Sequence, residues 1–172
     1  MMKKTLLSAV AVTLALGLAA ASIAEAREGR VRARGENGVA TAAAGPNGGA
    51  VVRGRGAVQN EDGSVTAGSV GAVRTPGGGR AARGSTTTVN PDGSATRRSG
   101  FAAESAQGGV VTSQGSSTLN ADGTYSGSRS TEATGAQGGT YQGSTTYNSE
   151  PGVTRSATCT DPSGTVVPCP RQ

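Results

Sequence analysis

Beyond residue 26 the chain has no histidine, tryptophan, methionine, isoleucine or lysine. Its large apolar side chains there are 14 valines, one leucine, one phenylalanine and three tyrosines. Without histidine, the commonest general base near neutral pH and the commonest metal ligand are both missing. No Gly-Lys-Ser/Thr follows any glycine pair, which excludes a phosphate-cradling P-loop. The carboxylates form no evident pair, so no catalytic constellation is present, and the expectation is a non-enzymatic protein with no cofactor and no metal. So few Val, Leu, Ile and Phe residues do not furnish an ordinary globular core. High net charge, the other half of the disorder signature, is also missing. Two outcomes remain: a largely disordered chain, or order gained from regular strand pairing.

The N-terminus is the one strongly apolar segment. Met1 to Lys4 is a short basic head, Leu6 to Ala20 an apolar run, and Ala24-Glu25-Ala26 offers small residues at the two positions a signal peptidase reads. This is the pattern of a secretory signal peptide over 1–26. The run is too short to span a bilayer. An exported product starting at Arg27 is expected, in the periplasm, at the cell surface or outside the cell, with no membrane span after cleavage.

What the chain has in abundance is punctuated glycine. NEDGS at 60–64, NPDGS at 90–94 and NADGT at 120–124 lie thirty residues apart, and PNGG, PGGG, AQGG and AQGG at 46, 76, 106 and 136 form a second series with the same period. Together they place a glycine every fifteen residues from 48 to 138. Asn60, Asp62 and Gly63, with Asn90, Asp92 and Gly93 and with Asn120, Asp122 and Gly123, make a turn motif. Asn and Asp bond nearby backbone, and Gly takes positive φ without steric cost. All seven prolines fall at turns or in the tail, where strands tolerate them. Between turns run about eleven residues rich in Thr, Ser, Val and Ala, which suit a pleated strand.

The pattern predicts an all-β repeat protein. Residues 27–47 form an irregular basic lead-in, 48–151 carry the fifteen- and thirty-residue β repeats, and 152–172 form a C-terminal hairpin. The favoured topology is an antiparallel meander or β-roll; a β-solenoid with thirty-residue coils and a largely disordered chain are the alternatives. Glycines at 68, 71, 84, 100, 115, 127 and 143 are expected to weaken or bulge the strands.

Two further features carry chemistry. Cys159 and Cys169 flank the turn Asp161-Pro162-Ser163-Gly164, and an even pair outside the cytosol reads as a disulfide stapling the last hairpin. Redox catalysis fits the nine-residue spacing poorly, and two thiols with no histidine, one of them flanked by Pro168 and Pro170, make a poor metal site. The turn residues Asp62, Asp92 and Asp122 line one edge and could offer weak Ca²⁺ ligands, though one carboxylate per turn is few.

Charge is uneven. Residues 27–98 hold 11 arginines against 5 acids, whereas 99–172 hold 3 against 5. The candidate polyanion contacts are Arg27, Arg30, Arg32, Arg34, Arg53, Arg55, Arg80, Arg83, Arg97 and Arg98. Such a region suits cell-wall polymer, lipopolysaccharide or extracellular DNA, or else serves solubility. No aromatic residue accompanies it to stack bases, so sequence-specific nucleic-acid reading is not expected.

The Asn-x-Asp-Gly-Ser units, the Gly-Gly units and the Thr-Cys-Thr-Asp-Pro-Ser-Gly…Cys ending resemble small exported Gly/Ser/Thr-rich repeat proteins of proteobacteria. More loosely, the chain resembles curli-type fibre subunits, which pair a signal peptide with glycine-punctuated strand–turn–strand repeats. The resemblance implies a structural role at the envelope or in the matrix, with self-association as the sharper version. Binding of anionic polymers through 27–98 is the alternative.

Overall fold

The computed structural model describes residues 29–150 and 152–169, so the signal segment and Arg27 lie outside the described residues. Eleven strands follow one another: β1 (Gly29–Gly35), β2 (Gly38–Ala44), β3 (Ala50–Gln59), β4 (Val65–Arg74), β5 (Arg80–Val89), β6 (Ala95–Glu104), β7 (Val110–Leu119), β8 (Tyr125–Thr134), β9 (Thr140–Asn148), β10 (Val153–Thr160) and β11 (Val166–Val167). They make one sheet in sequence order, each strand antiparallel to its chain neighbours. This is the meander; a solenoid would stack strands thirty residues apart, and no such pairing exists among the described residues.

The turns explain the spacing. At the first Asn-x-Asp-Gly site, Gly63 N–H donates to Asn60 O (3.0 Å) and Asn60 N–H to Ser64 O (2.8 Å), closing a three-residue loop. The glycine ends that loop in the left-handed region, with φ 80°. Glycines 48, 78, 93, 108, 123 and 138 do the same, with φ between 79° and 95°. The Gly-Gly turns share this backbone: Gly78 N–H donates to Thr75 O and Thr75 N–H to Gly79 O. Two unlike sequences thus make one turn geometry, the type I turn with a left-handed glycine that matches strand twist. In the Asn-x-Asp-Gly series the side chains reinforce it. Asp92 Oδ1 accepts from Ser94 N–H (2.8 Å) and Oγ–H (2.7 Å), while Asn90 Nδ2 donates to Ser94 Oγ (2.9 Å).

Two expectations need correction. Residues 29–44, read as part of an irregular lead-in, form the β1–β2 hairpin, paired from Gly29↔Ala44 to Gly35↔Gly38. Its loop, Glu36-Asn37, has only two residues, so it falls outside the fifteen-residue count that revealed the rest. The internal glycines also neither bulge nor interrupt the ladders: Gly84 pairs directly with Gly100, and Gly56 with Gly68, in unbroken register. Several serve as floor for a long side chain from the next strand, as described below.

The sheet has a single layer. Ala42, Cys159 and Ser64 are the buried residues among those described. Order comes from the backbone ladder and from side-chain pairs on the two faces, such as Thr66–Thr88 (3.0 Å), Ser69–Ser85 (3.0 Å) and Thr140–Thr160 (2.7 Å). Each strand meets only its neighbours, so the molecule is close to one-dimensional.

Candidate functional site

In an antiparallel sheet, directly opposed residues share a face and successive residues alternate between faces. Following the register from strand to strand sorts every strand arginine. Arg30, Arg32, Arg34, Arg53, Arg55, Arg83, Arg97, Arg129 and Arg155 all lie on one face. No strand carboxylate shares it. The opposite face holds Arg74, Arg80 and Arg98 together with both strand glutamates, Glu104 and Glu132. Arg80 makes an ion pair with Glu104 there. Over β7–β10 the opposite face is mostly Ser and Thr.

The arginines form rows across the strands. Arg32, Arg53 and Arg83 occupy one row on β1, β3 and β5, with Thr41 and Gly71 between them. The adjacent row holds Arg34 and Arg55 near one end and Arg129 and Arg155, on β8 and β10, near the other. Strands lie about 4.8 Å apart, so arginines two strands apart repeat at about 9–10 Å. A shallow groove of about 850 Å³ opens on this face, lined by Arg53, Arg55, Arg83, Arg97 and Arg129 among others.

Several of these side chains lie flat and are held. Arg129 crosses Gly115, its direct partner, so closely that a Cβ there would be 3.5 Å from Cζ. It donates through Nη1 to Ser113 Oγ and through Nη2 to Ser99 Oγ, both at 3.0 Å. Arg83 lies over Gly71 in the same way, and Arg97 Nη1 reaches Thr87 Oγ1 at 3.4 Å. Arg129 still has unused N–H groups, because a guanidinium carries five. Holding the side chains in advance reduces the entropy lost on binding an anion.

Seven of the ten arginines predicted from sequence therefore fall on this face. Arg80 and Arg98 lie on the other one, where Glu104 offsets Arg80, and Arg27 is outside the described residues. Arg129 and Arg155 were missed, since they sit in the half with net negative charge. Their position relative to the turns is the signal that would have found them.

The turn carboxylates serve the turns. Asp62 and Asp92 are held below the ordinary carboxylate range by the hydroxyl of Ser64 or Ser94, then by the backbone N–H of the same residue. Asp122 is lowered likewise by Thr124, and Asp161 by Ser163 and the Thr165 backbone. Equivalent turns are two strands apart, about 10 Å, so neighbouring carboxylates cannot share an ion that needs oxygens within about 2.6 Å. Among the described residues no group of three or more potential metal ligands comes together.

Cys159 and Cys169 are bonded, with Cα atoms 5.3 Å apart, which ties the end of the chain back onto β10 just past β11. No helix among the described residues is long and apolar enough to cross a membrane. Both facts are compatible with export. Comparison with protein-family models, with curated proteins and with solved structures finds no match, and the functional reading therefore rests on this geometry.

Proposed function

We propose that the chain is an exported, non-enzymatic repeat protein of the cell envelope or matrix that holds anionic polymers across its arginine face. The observation that carries this is the segregation of nine arginines, without a carboxylate, onto one face of a sheet whose other face is nearly balanced. Solubility alone requires no such segregation, because charge on either face serves it equally. A polymer lying across the strands meets a guanidinium about every 10 Å along the Arg32–Arg53–Arg83 row, and a pair of them at each end of the adjacent row. Guanidinium pairs with carboxylate, sulfate or phosphate through two parallel hydrogen bonds, so the face selects for negative charge and not for sequence.

A charge-matched pair of variants tests the reading. Arg83→Gln with Arg129→Gln removes two charges from the arginine face, and Arg74→Gln with Arg98→Gln removes two from the other. Retention on immobilised polyphosphate is followed against salt. The first variant is expected to lower the slope of log affinity against log salt by roughly 0.7–0.9 per arginine, and the second to leave it near wild type. Equal losses would mean that only net charge matters and would refute the face as the site.

A further inference from the structure

We propose that the natural partner of this face is an amphiphile: the surface of a bilayer with anionic phosphate headgroups, whose acyl boundary is met by two rows of apolar side chains flanking the arginine band. The inference rests on the anion-binding reading above and adds a feature that a purely charged polymer leaves unused.

That feature is a second segregation on the same face. Near the Asn-x-Asp-Gly edge, Val65, Val89, Ala95, Leu119 and Tyr125 are consecutive cross-strand partners from β4 to β8. The four larger ones are 42 %, 46 %, 43 % and 48 % exposed. Near the Gly-Gly edge, Val51, Val73, Ala81, Ala103, Val111 and Ala133 make a second apolar row, half-buried except for Val73 and continued by Tyr141. At about 4.8 Å per strand the first row is a continuous strip of roughly 20 Å. Phe101 stands within the arginine band, directly opposite Arg83. The other face has one apolar row too, Val31, Ala42, Val52, Ala72, Ala82 and Ala102 from β1 to β6, but it is built of alanine and valine alone. Leu119, Phe101 and all three tyrosines stand on the arginine face. Composition alone does not account for the contrast, since both faces draw on the same strands.

Contiguous exposed apolar surface marks an interaction site on a soluble protein. Here its partner must also carry negative charge, because the arginines lie between the strips. Interfacial binding combines these two terms: apolar side chains enter the headgroup–acyl boundary while basic ones pair with phosphates. Tyr125 and Tyr141 end the strips with rings that have an apolar body and a polar tip, which suits that boundary. The sheet would lie on the membrane, with the opposite face, rich in Ser and Thr over β7–β10, in water.

Vesicles test this directly. The mature chain is mixed with phosphatidylcholine vesicles with or without phosphatidylglycerol, and separately with soluble polyphosphate, at low salt and at about 0.5 M salt, where screening leaves only a few ångströms of electrostatic reach. Wild type is expected to co-sediment with the anionic vesicles only. It should stay bound at high salt, where polyphosphate is released. Val65→Thr with Val89→Thr and Leu119→Thr keeps strand propensity and charge. It should hold polyphosphate as before while its binding to anionic vesicles in high salt falls roughly tenfold or more. The Leu119→Trp variant carries a single indole reporter, and its emission should shift blue with anionic vesicles and stay unmoved with polyphosphate. The inference is overturned if vesicle binding vanishes at the same salt as polyphosphate binding, or if the triple-threonine variant binds vesicles like wild type. Indole emission blind to vesicles in the Leu119→Trp variant, or equal binding to neutral vesicles, overturns it too. Failure to bind polyphosphate at low salt would instead overturn the anion-binding function itself.

Discussion

The ring of Tyr147 lies flat across Gly127, its direct cross-strand partner, so closely that a Cβ at 127 would overlap the ring. The phenol reaches one strand further, to the carbonyl of Ser116 (3.4 Å). In a sheet with no second layer, this is how an aromatic residue finds apolar cover: a glycine supplies the floor. Gly127→Val is expected to lift the ring and destabilise the sheet by about 1–3 kcal/mol, although valine is the better strand former. A urea-midpoint measurement checks it, and an unchanged or raised midpoint would show that the ring has no role in stability.

Two other glycines separate backbone need from packing need. Gly93 sits in a turn with φ 82° and nothing near its missing Cβ, whereas Gly100 is in extended strand with an ordinary 3.9 Å contact to Ser113 O. Gly93→Ala should cost about 1–2 kcal/mol, the left-handed penalty for an L-residue. Gly100→Ala should be neutral, or stabilising by up to about 1 kcal/mol, because it restricts the unfolded chain. Thermal melts of the two variants side by side decide the matter.

Acid should loosen the turns. Asp62, Asp92, Asp122 and Asp161 each have a folded pKa below the usual 3.8, because hydroxyl and backbone donors favour the ionised form. A depressed folded pKa means stability that is present above the unfolded value and lost as pH falls through the folded one. The melting temperature should therefore be flat near neutrality and drop below about pH 4. Changing all four residues to Asn should flatten that acid limb.

The C-terminal staple guards an edge. β11 covers only Cys159 and Thr160 of β10, and the disulfide holds it there. Reduction should free this segment at a cost of about 2–3 kcal/mol and add Cys159 and Thr160 to the outer edge of β10, already open from Val153 to Thr158. Exposed strand edges recruit other strands. Sedimentation should show one mass for the oxidised chain and larger species on reduction. The opposite edge is guarded differently: β1 carries Arg30, Arg32 and Arg34, whose like charges discourage pairing of two β1 strands.

Much of the architecture was legible because turn chemistry is local. A glycine every fifteen residues, beside Asn, Asp or Pro, announces where the chain reverses, and alternation between turns leaves only strands. The hairpin at 29–44 escaped because its two-residue loop has its own spacing. The faces were harder. Grouping arginines by halves of the chain put Arg80 and Arg98 with the candidates and left out Arg129 and Arg155, since a face is defined by position relative to each turn. Arg32 and Arg53 share a row only because the short Glu36-Asn37 loop shifts the count by one, and that shift is visible once the pairing is known. The strand glycines read as defects for a related reason: what lies over them comes from the next strand.

The turn spacing also sets a rule for how such a chain can grow. Side chains change face with every residue, and fifteen is an odd number. Inserting or deleting one strand with its turn would carry Arg129 and Arg155, and everything after the change, onto the Ser/Thr side, splitting the basic surface in two. Adding or removing two units restores the parity. That gives a reason for the sequence to repeat at thirty residues although its backbone repeats at fifteen: inheritance acts on the hairpin, the smallest piece that can be copied without turning the molecule inside out.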